Sequence, residues 1–184
     1  MSKNGELLWV DMEMTGLDVK KEVPIEVAAI ATDWQMNVLD EYHAVICQPQ
    51  HYLDNMDDWN RTHHRDSGLT ALVPAGKDPL VVDQELAAFS RKYFPYERGA
   101  ILAGNSIAQD RLFIDNYMPK FQATLHYRMM DVTSWKVIFN GIYDLRFKKK
   151  DGHRALDDIR ESIGEMKYYL SFINPLANMD ASAD

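Results

Sequence analysis

Between residues 7 and 14 the chain reads LLWVDMEM, six apolar side chains with Asp11 and Glu13 set one residue apart among them. An apolar run of this length bounded by turn residues reads as a buried strand, and in a strand residues i and i+2 project from the same face. Both carboxylates therefore stand side by side on one face of a sheet. Two like charges at the edge of an apolar core cost free energy unless positive charge lies between them, and a divalent cation is the natural candidate.

The stretches that follow extend this beginning into a fold. PIEVAAIATD supplies a second strand from Pro24, NVLDEYHAVI a third, and Asp33 to Asn37 a hairpin connection, which together predict an antiparallel meander. From Gln48 the pattern breaks into short helical pieces divided at Ser67-Gly68. DPLVVDQELAAFSRKYF carries Val82, Leu86, Phe89 and Tyr93 at helical spacing and stops before Pro95. AILAGNS is a short buried strand, AQDRLFIDNYM a helix ended by Pro119, and HYRMMDVTSWKVIF a strand running into a helix near Asp131 or Thr133. A last helix spans roughly Arg154 to Phe172 with Ala155, Ile159, Ile163, Met166 and Leu170 inward. Strands first, then helices alternating with further strands, define an α/β chain: a mixed sheet flanked by helices. One domain over residues 1–173 and a flexible tail over 174–184 are expected at this length.

Composition narrows the class. An apolar fraction of 46% and an aromatic fraction of 11% are those of a folded globular chain. The formal net charge of -8 argues against coating long nucleic acid, which takes many Lys and Arg contacts to phosphate, but not against gripping a short nucleotide at one metal-rich pocket. The N-terminus reads as neither a signal peptide nor a membrane span, and the single cysteine, Cys47, fits a half-buried strand position in a reducing cytosol. A cytoplasmic location is expected.

Three further acidic or titratable positions join the opening pair. Asp110 falls in the first turn of a helix just past a strand end, where sites are commonly built. Asp158 shares the inward side of the last helix while Asp157 turns to solvent. His153, after the basic loop KKKDG, is placed to act as a general base; nearby carboxylates favour its protonated form and bound cations oppose it. Four carboxylates and a histidine suit two hard cations about 4 Å apart, and the absence of clustered Cys and His disfavours zinc. Taken singly, Asp110 is equally readable as an acid favoured by a helix dipole, and Asp158 as a partner of Arg154 or Arg160.

DMEMTGLD, GNSIAQD and HRALDD, in that order, resemble the three motifs of the DEDDh 3′-to-5′ exonucleases. More narrowly, WVDMEMTGLD, MDDWNRTHHRDSGL, AGNSIAQDRLFIDNYMP, HYRMMDVTSWK and HRALDDIRESIGEMKYY are similar to the oligoribonuclease family, from about Leu7 to Ile173. The resemblance implies a ribonuclease H-like fold and a single exonuclease domain that degrades very short RNA, especially dinucleotides, to nucleoside 5′-monophosphates. It implies Asp11, Glu13, Asp110 and Asp158 as ligands of two divalent cations, Mg²⁺ or Mn²⁺, and His153 as the base. Leu17 matches a wedge between the two bases, and Trp59 and His64 match residues near the 3′ nucleotide. Ser106 and Gln109 fall at substrate-contacting positions. A homodimer is also implied, in which Tyr127 reaches the neighbouring protomer's site while Arg128 and Thr133 cap the 5′ phosphate.

These roles are physically coherent: a Leu wedge replaces base stacking without reading sequence, and an arginine at a 5′ phosphate favours ends over interiors. From residue type alone, Trp59, Leu17 and Tyr127 also fit a core or an interface, and His64 a surface position beside His63. Two departures from the family pattern stand out, Pro24 and the stretch WKVIFNGIYDLRFKKKDG; the latter adjoins the phosphate cap and bears on length preference and rate. Two other classes remain on sequence grounds: an exonuclease for longer strands or DNA, and a catalytically silent nucleotide-binding dimer.

Overall fold

The computed structural model describes residues 4–148 and 154–173; His153 and the 174–184 tail lie outside the described residues. Five strands form one mixed sheet: β1 (Leu7–Met14), β2 (Pro24–Thr32), β3 (Val38–Val45), β4 (Ala100–Gly104) and β5 (Leu125–Asp131), in spatial order β3-β2-β1-β4-β5. The β1–β2 and β2–β3 pairs are antiparallel, the β1–β4 and β4–β5 pairs parallel. Every position of β2 is buried, as expected of a strand covered on both faces, whereas β3 at the edge is mostly open. Asp33 closes the β2–β3 hairpin by accepting the Asn37 backbone N–H at 2.9 Å, with Met36 in the left-handed region at φ 60.

The helices α1 (Gln50–Asp54), α2 (Asp58–Asp66), α3 (Leu69–Leu72), α4 (Pro79–Tyr93), α5 (Ile107–Tyr117), α6 (Pro119–Gln122), α7 (Val132–Tyr143) and α8 (Ala155–Leu170) clothe the sheet. Alternation along β1 sorts them. Leu8, Val10, Met12 and Met14 join Val82, Leu86, Phe113 and Phe121 in one core layer, while Leu7 and Trp9 join Phe139, Ile159, Ile163 and Tyr169 in the other. Each such fully buried aliphatic or aromatic side chain contributes about 1.5–3 kcal/mol relative to exposure. Asp11 and Glu13 continue the odd series, so the period of two that buries Trp9 against the α7–α8 layer also aims both acids towards α8.

Asp78 caps α4 by accepting the Leu80 N–H, with Pro79 in the first helical position. Pro119 follows the end of α5 and opens α6 in the same way. Asp131 ends β5 and caps α7 through the Thr133 N–H at 2.8 Å. On α8 the inner face departs from expectation in its last turn: Leu170 is exposed and Tyr169 is buried instead. The Tyr169 ring packs 5.0 Å from that of Phe139, and its hydroxyl donates to Glu165 at 3.0 Å, so an aromatic with a satisfied polar tip takes the position. Cys47 lies just beyond β3 rather than within it, half-buried. Among the described residues, no helix is long and apolar enough to cross a membrane.

Candidate active site

The parallel pairing of β1 with β4 ends at Trp9 and Ala103, and the two strands then separate. Gly104 permits the close approach at the fork, since a Cβ there would lie 2.9 Å from the Val10 carbonyl oxygen. Beyond it the first turn of α5 enters beside β1. Asp110 uses this opening: its Oδ1 accepts the Met12 backbone N–H at 3.0 Å. The site is thus built at the carboxyl ends of adjacent parallel strands, the usual place for ligands in such sheets.

Ligand oxygens of Asp11, Glu13 and Asp158 all lie within 4.8 Å of one another, and all three side chains are half-buried. Asp110, buried, stands beside this group. Asp157, one residue before Asp158, is exposed and pairs with Arg160. Arg160 also reaches Glu41, and the Arg154 guanidinium is taken by Glu26, so the described ion pairs of both arginines lead away from Asp158.

Crowding of like charges leaves a clear electrostatic mark. Burial, then the charges of Asp11, Asp158 and Glu26, push the Glu13 carboxyl up to about 8 against the opposing pull of Arg154. Burial, followed by the charge of Asp11, raises Asp110 well above the ordinary carboxylate range. A set of oxygen donors that resists joint ionisation at neutral pH fits a hard divalent cation, whose charge removes the penalty.

His64 is buried rather than at the surface. Its Nε2 lies 2.9 Å from the Met14 carbonyl and its Nδ1 3.8 Å from Glu13 Oε2. Burial holds the imidazole below its ordinary pKa. A neutral ring that donates from Nε2 leaves Nδ1 as an acceptor, and this buried nitrogen has no hydrogen-bond partner among the described residues.

Around the acids stand exposed apolar and aromatic groups. Leu17 is 74% exposed and Trp59 66% exposed, which removes the core reading for both. The loop that carries Leu17 is bound at many points. The Thr15 hydroxyl donates to Glu22 at 2.6 Å, Gln109 Nε2 to the Leu17 carbonyl at 2.8 Å, and the Tyr117 hydroxyl lies 3.0 and 2.8 Å from the Val19 and Glu22 carbonyls. Gln109 thereby holds the backbone at Leu17. Trp59 stacks on His63 with ring centroids 4.5 Å apart, beside a cleft of about 630 Å³ that Asp58, Thr62, Asp66 and Arg154 also line.

Ser106 adopts a left-handed conformation at φ 52 ahead of α5. Its N–H donates to Asp131 Oδ1 at 3.0 Å and to Thr133 Oγ1 at 2.9 Å, which ties the β4–α5 turn to the β5–α7 junction. Tyr127, 74% exposed, and Arg128 project from β5, the outermost strand on this side, with the guanidinium 5.3 Å from the Tyr127 ring.

One buried acid beside the cluster escaped the sequence reading. Glu26, fully buried on β2 opposite Glu13, binds Arg154 and His43. Its signal was available: it is the lone acid inside the apolar run PIEVAAIAT, the same irregularity that marks Asp11 and Glu13.

A family model described as exonuclease matches residues 8–166. An oligoribonuclease of Francisella tularensis subsp. tularensis (strain WY96-3418) is 44% identical over 172 residues, covering 92% of this chain and 96% of its own. An oligoribonuclease of Hydrogenovibrio crunogenus is 42% identical over 179 residues, covering 92% and 94%. Among solved structures, exonuclease I from Methylocaldum szegediense superposes with a TM-score of 0.67 at 16% identity, and E. coli exonuclease I in complex with a dT13 oligonucleotide with 0.65 at 15%. These cover 94% and 93% of this chain, which spans 42% of either of those longer chains, and they establish the ribonuclease H-like fold. With near-complete coverage of relatives above 40% identity, and with the exonuclease model spanning the sheet and most of α8, the chain belongs to the oligoribonuclease family of exonucleases.

Proposed function

We infer that this chain is a metal-dependent 3′-to-5′ exoribonuclease that hydrolyses very short RNA, dinucleotides above all, to nucleoside 5′-monophosphates. The observation that carries the reading is the meeting of Asp11, Glu13 and Asp158 from β1 and α8 at ligand distance beside the buried Asp110. Asp11, Glu13, Asp158 and Asp110 would hold two cations, Mg²⁺ or Mn²⁺. When bound, these supply positive charge to the attacking and leaving oxygens of the phosphodiester. His153 takes the proton of the attacking water, the water oxygen bonds to phosphorus, the bond from phosphorus to the O3′ of the preceding nucleotide breaks, and the departing O3′ takes a proton from solvent to leave as a hydroxyl. Leu17 enters between the two bases, Trp59 and His63 offer a stacking surface to the 3′ nucleotide, and His64 stands near that nucleotide, against Glu13. Ser106, Gln109 and Thr133 complete the wall on the opposite side.

The 5′ end calls for a second protomer. The exposed apolar side chains Tyr127 and Met129 on the edge strand β5, and Val137, Ile138, Ile142 and Tyr143 on α7, give these two elements the surface of an interface rather than of a solvated face. A homodimer through this surface covers it and brings Tyr127 and Arg128 to the neighbouring site as the cap on the 5′ phosphate. Replacing Ile138 and Ile142 together with Asp is expected to give a monomer in sedimentation velocity that retains the metal site but cleaves dinucleotides poorly. A soluble dimer at unchanged strength would exclude this face.

The direct test of function follows 5′-labelled RNAs of two, three, five and seven residues under Mg²⁺, Mn²⁺ or chelator. Rapid loss of the dinucleotide, dependent on the metal, is expected. Should longer strands be shortened while dinucleotides persist, the cap formed by Tyr127 and Arg128 is wrong and a general exonuclease is correct.

A further inference from the structure

Glu26 and Glu13 are direct partners across the β1–β2 ladder, an arrangement in which like charges repel. Glu26 nevertheless stays ionised. Although burial opposes its charge, hydrogen bonds from His43 and Arg154, the Arg154 charge and the Ala155 N–H hold its carboxyl down at about 2. Arg154 donates from Nε at 2.8 Å and from Nη2 at 2.5 Å, Ala155 from its backbone N–H at 3.3 Å, and His43 Nε2 lies 2.6 Å away.

Two of these donors belong to the start of α8. Arg154 is the N-cap residue of that helix, yet its side chain caps nothing in the helix. The carboxylate of Glu26, from a neighbouring strand, instead accepts the first N–H of α8, where orphan donors and the helix dipole favour negative charge. The next link is direct: the Arg154 carbonyl accepts the Asp158 N–H at 3.0 Å. A closed circuit results, from Glu13 across the ladder to Glu26, through Arg154 to Asp158, and back to Glu13 through the carboxylate cluster. Farther along, α8 is held separately by Asn105, which donates to Ser162 at 2.9 Å and to Glu165 at 3.1 Å. That second attachment lies at least one turn beyond Asp158, and the first turn itself is held by the packing of Ala155 and Ile159, the exposed Arg160–Glu41 pair and, at its very start, the buried bonds of Glu26.

We propose that Glu26 is a positioning residue for the carboxylate cluster: by fixing Arg154 and the first turn of α8 against β2, it sets Asp158 at ligand distance from Asp11 and Glu13. The inference rests on reading that cluster as the divalent-cation site. Groups that orient metal ligands without touching the ion commonly control affinity, and their loss costs about 10–100-fold.

The test measures Mn²⁺ binding to the full chain by electron paramagnetic resonance, alongside the thermal midpoint in chelator and the kcat and KM for a dinucleotide. Glu26→Gln keeps the shape and removes the charge. It is expected to weaken Mn²⁺ binding by about 10–100-fold and to lower kcat more than it changes KM. Arg154→Lys, which keeps the charge but loses the fork, is expected to act in the same direction and serves if Glu26→Gln does not fold. His43→Gln removes a contact from Glu26 without touching α8, and wild-type Mn²⁺ affinity is expected. Wild-type affinity in folded Glu26→Gln and Arg154→Lys overturns the proposal, as does a loss in His43→Gln equal to that in Glu26→Gln. No Mn²⁺ binding by the unsubstituted protein overturns the metal reading itself, and the positioning role with it.

Discussion

Asp158→Ala is expected to lower single-turnover cleavage of a dinucleotide by about 10³-fold, the scale of losing one element that stabilises charge in a transition state, while the chain stays folded. Asp158 lies half-buried in the first turn of α8, and its neighbours Ala155 and Ile159 supply the packing that anchors this turn. Its charge also contributes to the rise of the Glu13 carboxyl. Removing it relieves repulsion, so the thermal midpoint in chelator should hold or increase even as activity disappears. Stability and activity moving in opposite directions mark a group retained for chemistry. A substantial fall in the chelated midpoint, or retention of cleavage, would refute this assignment.

A second large effect concerns pH. In the folded chain without metal Glu13 titrates at about 8, against 4.5 for an unperturbed glutamate. The folded state therefore binds more protons than the unfolded state between these values, and stability falls as pH rises from 4.5 through 8. Glu26 acts in the opposite sense. Its carboxyl, held at about 2, contributes stability that is present above pH 4.5 and lost as pH falls towards 2. These two groups favour greatest chelated stability near pH 4.5. Saturating Mn²⁺ binds the ionised carboxylates and stabilises by mass action, so its stabilising effect should grow from pH 6 to pH 8 and its binding near neutrality should release protons. Thermal midpoints across this range, with chelator and with Mn²⁺, check both signs. A chelated midpoint that climbs steadily to pH 8 would contradict the repulsion assigned to Glu13.

The strands and the acid pair were legible because one period controls both. The alternation that buries Leu7 and Trp9 carries Asp11 and Glu13 to the same face, and α8 lies over that face. The inward turn of Asp158 and the outward turn of Asp157 followed from helical spacing. Other features depend on contacts distant in sequence. His64 could be read as a surface residue until α2 was packed against β1, 50 positions away from Met14. Glu26 carried the same sign as the opening pair, an acid in an apolar strand, but its partners Arg154 and His43 come from α8 and β3. On α8, spacing pointed to Leu170 as the last inward residue, but Tyr169 takes that place because its hydroxyl finds the Glu165 carboxylate. The roles of Leu17, Tyr127, Arg128 and Thr133 came only from resemblance, since exposed apolar groups and hydroxyls have no periodicity that separates a wedge or a cap from ordinary surface.

The bonds around Leu17 have a consequence for affinity. A dinucleotide offers few groups to hold, so any freedom lost by the protein on binding weighs heavily against it. With the Leu17 side chain in solvent, Thr15, Glu22, Gln109 and Tyr117 fix the loop that carries it. Its conformational entropy is surrendered when the chain folds, not when the substrate arrives, and the smallest ligand meets a surface already in order.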